Sequence, residues 1–296
     1  MKVRRLLAVL MATLLAGCGT ASPAAPGTAS AARSAPTGAY PVGVRTFTLD
    51  PTGARPLPVT VWYPAAPGGV ARGRFPVVVF SHGLDSLPGL HAPLTTRWAA
   101  AGFVVAAPAY PHTRRGAARF SRADVRNQPA DGWRLIRHLV LLGARRGDPF
   151  AGHLDTARFA AAGHSAGGFT TSGMLTSGHP PRLRAGIVIA GGGLAGAFAG
   201  PSAPVLFVHG DADPVVPVTV GRAAYARTPG PAAFLTVTAG DHGAYLTPGR
   251  PGFPEVLAAT TDFLRWTLYG DPTTLHRLPP AAPSPHTTWL SRLPTP

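Results

Sequence analysis

Gly163-His164-Ser165-Ala166-Gly167 sets a serine between two glycines, after the apolar run Arg158 to Ala162 and before the helix-like Ala166 to Thr176. A strand that turns sharply into a helix holds the turning residue in a strained, exposed conformation, and flanking glycines remove the Cβ atoms that would collide there. The serine so presented can act as a nucleophile. At its ordinary pKa it is a weak one, so it needs a base, and the base needs a partner that fixes its tautomer.

Two later turns offer these groups in the order serine, acid, histidine. Gly210-Asp211-Ala212-Asp213-Pro214 follows the apolar run Pro204 to His209, and Gly240-Asp241-His242-Gly243 follows Ala233 to Val237. His242 is read as the base, with Asp211 and Asp213 as the two choices for the acid and Asp241 as a turn residue. An earlier turn, Ser81-His82-Gly83-Leu84 after the run Phe75 to Phe80, can aim a backbone N–H at a developing oxyanion. The second donor is then the residue after the nucleophile, so the expected pair is Leu84 and Ala166. His82, His164 and His209 adjoin motif glycines at strand ends and are read as hydrogen-bonded loop histidines. There is no phosphate loop, dinucleotide fingerprint or Cys/His metal cluster, and the chemistry needs neither cofactor nor metal.

These turns require a scaffold that brings them to one edge. Thr46 to Leu49 and Leu57 to Tyr63 alternate as paired antiparallel strands do, whereas Phe75 to Phe80, Phe103 to Ala107 and Arg158 to Ala162 are continuously apolar, as are Ala185 to Ala190, Pro204 to His209 and Ala233 to Val237. Continuous runs mark strands covered on both faces. Helical patterns fill the gaps at His91 to Ala101, Ala130 to Leu142, Ala166 to Thr176, Val218 to Ala226 and Glu255 to Leu268, with Trp133, Ile136, Leu139 and Val140 expected to face the sheet. The alternation predicts an α/β protein with a mostly parallel, eight-stranded, doubly wound sheet. All three chemical turns then lie at strand carboxyl ends. Only Ala190 to Ala203 separates the sixth strand from the seventh, so no substantial lid is expected.

The ends read differently. Lys2, Arg4 and Arg5 precede the short apolar run Leu6 to Ala16, too short to span a bilayer and typical of a secretory signal. It closes in Leu15-Ala16-Gly17-Cys18, the pattern of a bacterial lipobox. The expected division is a signal peptide over 1–17, acylation at Cys18, a flexible tether over 18–40, a catalytic domain over 41–270 and a Pro-rich tail over 271–296, in which Trp289 and Leu290 offer a docking point. Cys18 is the only cysteine, so the exported protein has no internal disulfide. The formal charge of +15 is almost wholly arginine, but the arginines are scattered and no nucleic-acid motif accompanies them. A monomer anchored to the cell envelope, acting on a small-molecule or lipid ester and binding no nucleic acid, is the expectation.

Leu57 to Pro64, Phe75 to Leu84, Asp124 to Asp131, Gly163 to Gly168 and His209 to Pro217 together resemble bacterial dienelactone-hydrolase-like and platelet-activating-factor-acetylhydrolase-like esterases over roughly residues 42 to 270. That resemblance implies an α/β-hydrolase fold. It favours Asp213 over Asp211 as the acid, since H-G-x-x-D-x-x-V-P is similar to the family's acid loop. It also implies a serine carboxyl-ester hydrolase with Ser165, Asp213 and His242 as its triad. Dienelactone hydrolases carry cysteine where Ser165 stands, so lactone hydrolysis is not implied. Bacterial polyester hydrolases share the plan, but their aromatic residue after the sixth strand is replaced here by Gly191-Gly192-Gly193. Lipase-type activity on phospholipid or acyl transfer with the same triad is the alternative. A noncatalytic ligand-binding lipoprotein is the distant one.

Overall fold

A computed structural model describes residues 34–278 and 284–295 of the 296-residue chain. The expected signal peptide, Cys18 and residues 18–33 of the tether lie outside the described residues. Ten strands form one sheet: β1 Val42–Leu49, β2 Leu57–Ala66, β3 Gly69–Val70, β4 Phe75–Ser81, β5 Val104–Pro108, β6 Leu154–His164, β7 Leu183–Ile189, β8 Val205–Gly210, β9 Ala232–Val237 and β10 Thr287–Ser291. Their order is β1-β2-β5-β4-β6-β7-β8-β9-β10, with β3 a short addition to β2.

From β5 to β9 every neighbouring pair is parallel, while β1, β2, β3 and β10 join antiparallel. The chain steps from β4 outward to β5 and then crosses back to β6 on the other side of β4. That reversal opens a crevice at the carboxyl ends of β4 and β6, the usual ligand position in an open α/β sheet.

Alternate residues of the central strands serve two cores. Val78, Phe80, Val105 and Ile187 pack with Leu94 and Trp98 of α1 (Ala92–Ala100) and with Val256 and Phe263 of the helix Phe253–Leu264. Val77, Val79, Ala106, Phe159 and Phe207 pack on the opposite face with Leu135 and Leu139 of α2 (Gln128–Ala144), Met174 of α3 (Ala166–Met174) and Ala224 of α4 (Val218–Arg227). The helix Phe253–Leu264 is α5. It runs on into a π-helical turn, Arg265–Tyr269. Burying each Val, Leu or Phe side chain contributes roughly 1.5–3 kcal/mol, which is why both faces of these strands are apolar.

Three features refine the expectations. Trp133, Ile136, Leu139 and Val140 all pack on the core as expected, Ile136 and Leu139 buried and Trp133 and Val140 half-buried at its margin. Leu135 and Leu142 complete that face of α2. The stretch read from its prolines as a tail supplies β10, whose Trp289 lies opposite Leu235 on β9. An unpaired edge at β9 is satisfied by a five-residue strand whatever the composition around it. The end of the expected tether is docked as well, for the Tyr40 N–H donates to the Ala100 carbonyl and the Arg265 guanidinium to the Pro36 carbonyl.

Candidate active site

β6 ends at His164, and Ser165 follows it with φ 57 and ψ −122. A non-glycine residue held there stores about 1–3 kcal/mol of strain, tolerated only because the surroundings dictate the turn. They do so through contact. A Cβ on Gly163 would lie 2.2 Å from the Gly167 carbonyl oxygen, and one on Gly167 would lie 1.9 Å from that of Ser81. The Ser165 N–H donates to the Ile189 carbonyl, tying the turn to β7. α3 starts at the next residue, so the Ala166 N–H belongs to a helical first turn whose donors have no intrahelical partner.

The structure brings Ser165, His242 and Asp213 into one chain of hydrogen bonds. His242 Nε2 is 2.8 Å from Ser165 Oγ, and His242 Nδ1 is 2.8 Å from Asp213 Oδ2. Asp213 is buried, and its Oδ1 accepts from the Val215 and Val216 N–H groups. Burial alone would raise its pKa, but the hydrogen bond from His242 and the two N–H donors outweigh it and hold the carboxyl below its ordinary value. Asp211 points elsewhere: its Oδ1 accepts from the Ala239 N–H. Asp241 caps its own turn by accepting from the N–H groups of Gly243 and Ala244.

On the other side, a Cβ on Gly83 would lie 3.1 Å from that of Ser165, so the turn after β4 runs directly past the nucleophile. The Leu84 and Ala166 N–H groups enter none of the loop or turn hydrogen bonds among the described residues. That leaves both as donors for an oxyanion.

All three loop histidines are hydrogen-bonded. His82 is fully buried; its Nδ1–H donates to the Gly83 carbonyl and its Nε2 accepts from the Tyr110 N–H. Burial lowers its pKa to about 4, so it is a neutral clamp on this turn. His164 Nε2–H donates to the His242 carbonyl at 2.5 Å, with its ring 4.8 Å from the His242 ring and 5.5 Å from that of His91. Burial lowers it to about 4 and lowers His91 to about 3. His209 Nε2–H donates to the Val216 carbonyl and so braces the loop that carries Asp213.

Sequence reasoning missed a second layer behind the Leu84 turn. Ser81 Oγ and Tyr110 Oη are 2.8 Å apart, and the Asp85 N–H donates to the Thr113 carbonyl. Thr113 Oγ1 accepts from the buried Gln128 amide, whose oxygen in turn accepts from Thr170 of α3. The one available signal was the Asp124 to Asp131 segment, singled out only for its resemblance. Its two acids are both held by Arg55, at 2.8 Å for Asp124 and 2.5 Å for Asp131, fixing the start of α2 and thus Gln128. Among the described residues no group of His, Cys, Asp and Glu is placed to hold a metal ion.

A family model described as PET hydrolase-like matches residues 20–248 of the chain. No curated protein matches it.

Proposed function

The chain belongs to the PET hydrolase-like family and is a serine-type carboxylic ester hydrolase of the α/β-hydrolase superfamily; from that premise we propose that it works through an acyl-enzyme on Ser165 and acts on accessible, short-acyl esters at the cell envelope. The observation that carries this reading is the unbroken relay from Ser165 Oγ through His242 to Asp213. Asp213 accepts a hydrogen bond from Nδ1–H and so keeps the proton on that nitrogen, which leaves Nε2 as the lone-pair nitrogen facing the serine hydroxyl.

Nε2 takes the hydroxyl proton as Oγ attacks the ester carbonyl. The carbonyl oxygen, now negative, receives hydrogen bonds from the Leu84 and Ala166 N–H groups, while Asp213 stabilises the imidazolium. Collapse breaks the C–O bond to the alcohol, which leaves with the proton from Nε2. Water then enters, gives a proton to the same nitrogen and attacks the acyl carbon; collapse breaks the bond to Ser165 Oγ, which takes the proton back from Nε2 as the acid leaves.

The wall after β7 supports small, soluble esters rather than an aromatic polyester. A Cβ on Gly191 would lie 2.9 Å from the Gly168 Cα, and one on Gly192 would lie 2.6 Å from Val220 Cγ1. The wall residues Gly191 to Gly193 bear no side chain of their own, and the ring nearest to Gly192 is Phe169 of α3, 2.9 Å from where a Cβ on Gly192 would lie. The Ala190 to Pro204 connection is also too short to close over the cleft.

A fluorophosphonate probe should label the intact protein, and Ser165→Ala should lose both the label and at least about 10⁴-fold in kcat. Activity on 4-nitrophenyl acetate and butyrate should rise smoothly through the solubility limit and far exceed release from a polyester film. Retention of more than a tenth of the rate by Ser165→Ala, or preferential attack on the film, overturns the reading. The envelope location rests on acylation of Cys18, which predicts a diacylated mature N-terminus by mass spectrometry. An unmodified N-terminus beyond Cys18 removes the anchor.

A further inference from the structure

The connection between β5 and α2 carries Arg114, Arg115, Arg119, Arg122 and Arg126 and one acid, Asp124. That acid is buried and already held by Arg55 and Asn127. The positive charge of this connection is therefore not cancelled within it.

The arginines stand at the cleft. The Asp85 N–H donates to the Thr113 carbonyl at 2.8 Å and the Arg115 N–H to the Ser86 carbonyl at 2.9 Å, while Ser86 and Arg114 form a β-bridge. Residues 113–115 thus lie about one strand spacing, roughly 4.8 Å, from the turn that supplies the Leu84 N–H. Arg114 is half-buried and has no carboxylate within ion-pairing distance among the described residues. Its charge reaches the buried His82 and helps lower that ring's pKa, though less than burial does. Arg115 Nε donates to the Asp85 carbonyl at 3.2 Å, and its one carboxylate contact among the described residues, Asp85 Oδ2, is at 3.9 Å, with both side chains more than half exposed. Across the cleft, Asp211 and Asp241 make the rim formed by the β8 and β9 turns acidic.

We propose that Arg114 and Arg115 select esters bearing an anionic group, a carboxylate, sulfonate or phosphate, on the part of the substrate that lies over the Leu84 side of the cleft. This specificity rests on the ester-hydrolase reading above. Guanidinium groups match such anions bidentately, and a basic rim beside a low-dielectric cleft raises the local concentration of an anionic substrate in a salt-dependent way.

The test uses the full chain and three esters: neutral 4-nitrophenyl acetate, 4-nitrophenyl hemiglutarate with its carboxylate on the acyl side, and 8-acetoxypyrene-1,3,6-trisulfonate with its charge on the alcohol side. Arg114→Gln combined with Arg115→Gln should lower kcat/KM at low salt by about tenfold more for an anionic ester than for the neutral one. Whichever anionic ester responds assigns the charge to the acyl or the alcohol part. The difference should collapse near about 0.5 M salt, where charges are screened beyond a few ångströms. Arg182→Gln with Arg184→Gln, at the amino end of β7 and so at the end of the sheet away from the three chemical turns, should leave the ratio unchanged. If the double variant does not fold, the wild-type salt dependence decides: kcat/KM must fall with salt for an anionic ester and not for the neutral one. An equal response of all three esters overturns the proposal. Turnover of none of them strikes instead at the ester-hydrolase reading.

Discussion

The two rims of the cleft are built by different rules. On the relay side, the carboxylates after β8 and β9 are satisfied close by: Asp213 by Val215 and Val216, Asp241 by Gly243 and Ala244, and Asp211 by Ala239 in the adjoining turn. On the Leu84 side, where the proposed oxyanion donor lies, the turn after β4 makes few bonds of its own. It is held by His82, Tyr110, Thr113, Gln128 and Thr170, which come from β4, β5, α2, α3 and their connections. Short loops with their own hydrogen-bonding partners need little from the rest of the fold. A bare backbone donor has no side chain to aim it, so a buried network must do so, and a broken link there leaves polar atoms unpaired.

The comparison is sharpest at the acid. Asp213→Asn should lower kcat by about 10⁴-fold through the wrong histidine tautomer, while KM changes little. Asp211→Asn should cost only about 1 kcal/mol of stability, from the weakened bond to the Ala239 N–H, with kcat nearly unchanged. A larger kinetic loss at Asp211 than at Asp213 would exchange their roles.

An intermediate effect is expected behind the oxyanion turn. Gln128→Leu leaves Thr113 Oγ1 without its donor and removes one partner of Thr170, which should cost about 1–3 kcal/mol in denaturant unfolding. If the network aims the Leu84 N–H, kcat on 4-nitrophenyl acetate should fall about tenfold at nearly constant KM, since an oxyanion donor acts mainly in the transition state. Gln128→Glu, which keeps an acceptor for Thr170 but not the amide donor, should fall between. Lost stability with unchanged kcat would make the network a packing device alone.

The smallest effect on catalysis is in pH, which acts through stability. His82 and His164 are lowered to about 4 and His91 to about 3, chiefly by burial. The unfolded chain takes up protons near pH 6.5 that the folded chain refuses. Their contribution to stability is thus complete above about pH 6.5 and is lost as the pH falls toward their folded values. The thermal midpoint should decline over that window, and His91→Gln should flatten the decline. A midpoint constant from pH 7 to about pH 4.5 would show that these rings are not held neutral.

What the sequence alone determined is what neighbours in the chain decide. The serine between Gly163 and Gly167 could be placed because its backbone conformation excludes Cβ atoms on either side. The turns carrying Asp213 and His242 could be placed because short continuous apolar runs bounded by turn residues read as strands covered on both faces. The preference for Asp213 over Asp211 came from likeness to a family, since both sit in the same turn; the orientation of the two carboxylates separates them in space. Only the tertiary structure decided that Leu135 and Leu142 share the α2 core face, that Thr287–Ser291 closes the sheet, and that Pro36 and Tyr40 are docked. It alone joined Gln128 to Thr113 and Thr170, and set Arg114 beside the Leu84 turn. Each of these depends on side chains and strand edges that meet across tens of residues. A local pattern reports how a segment can fold, whereas the partner it finds is set by packing of the whole domain.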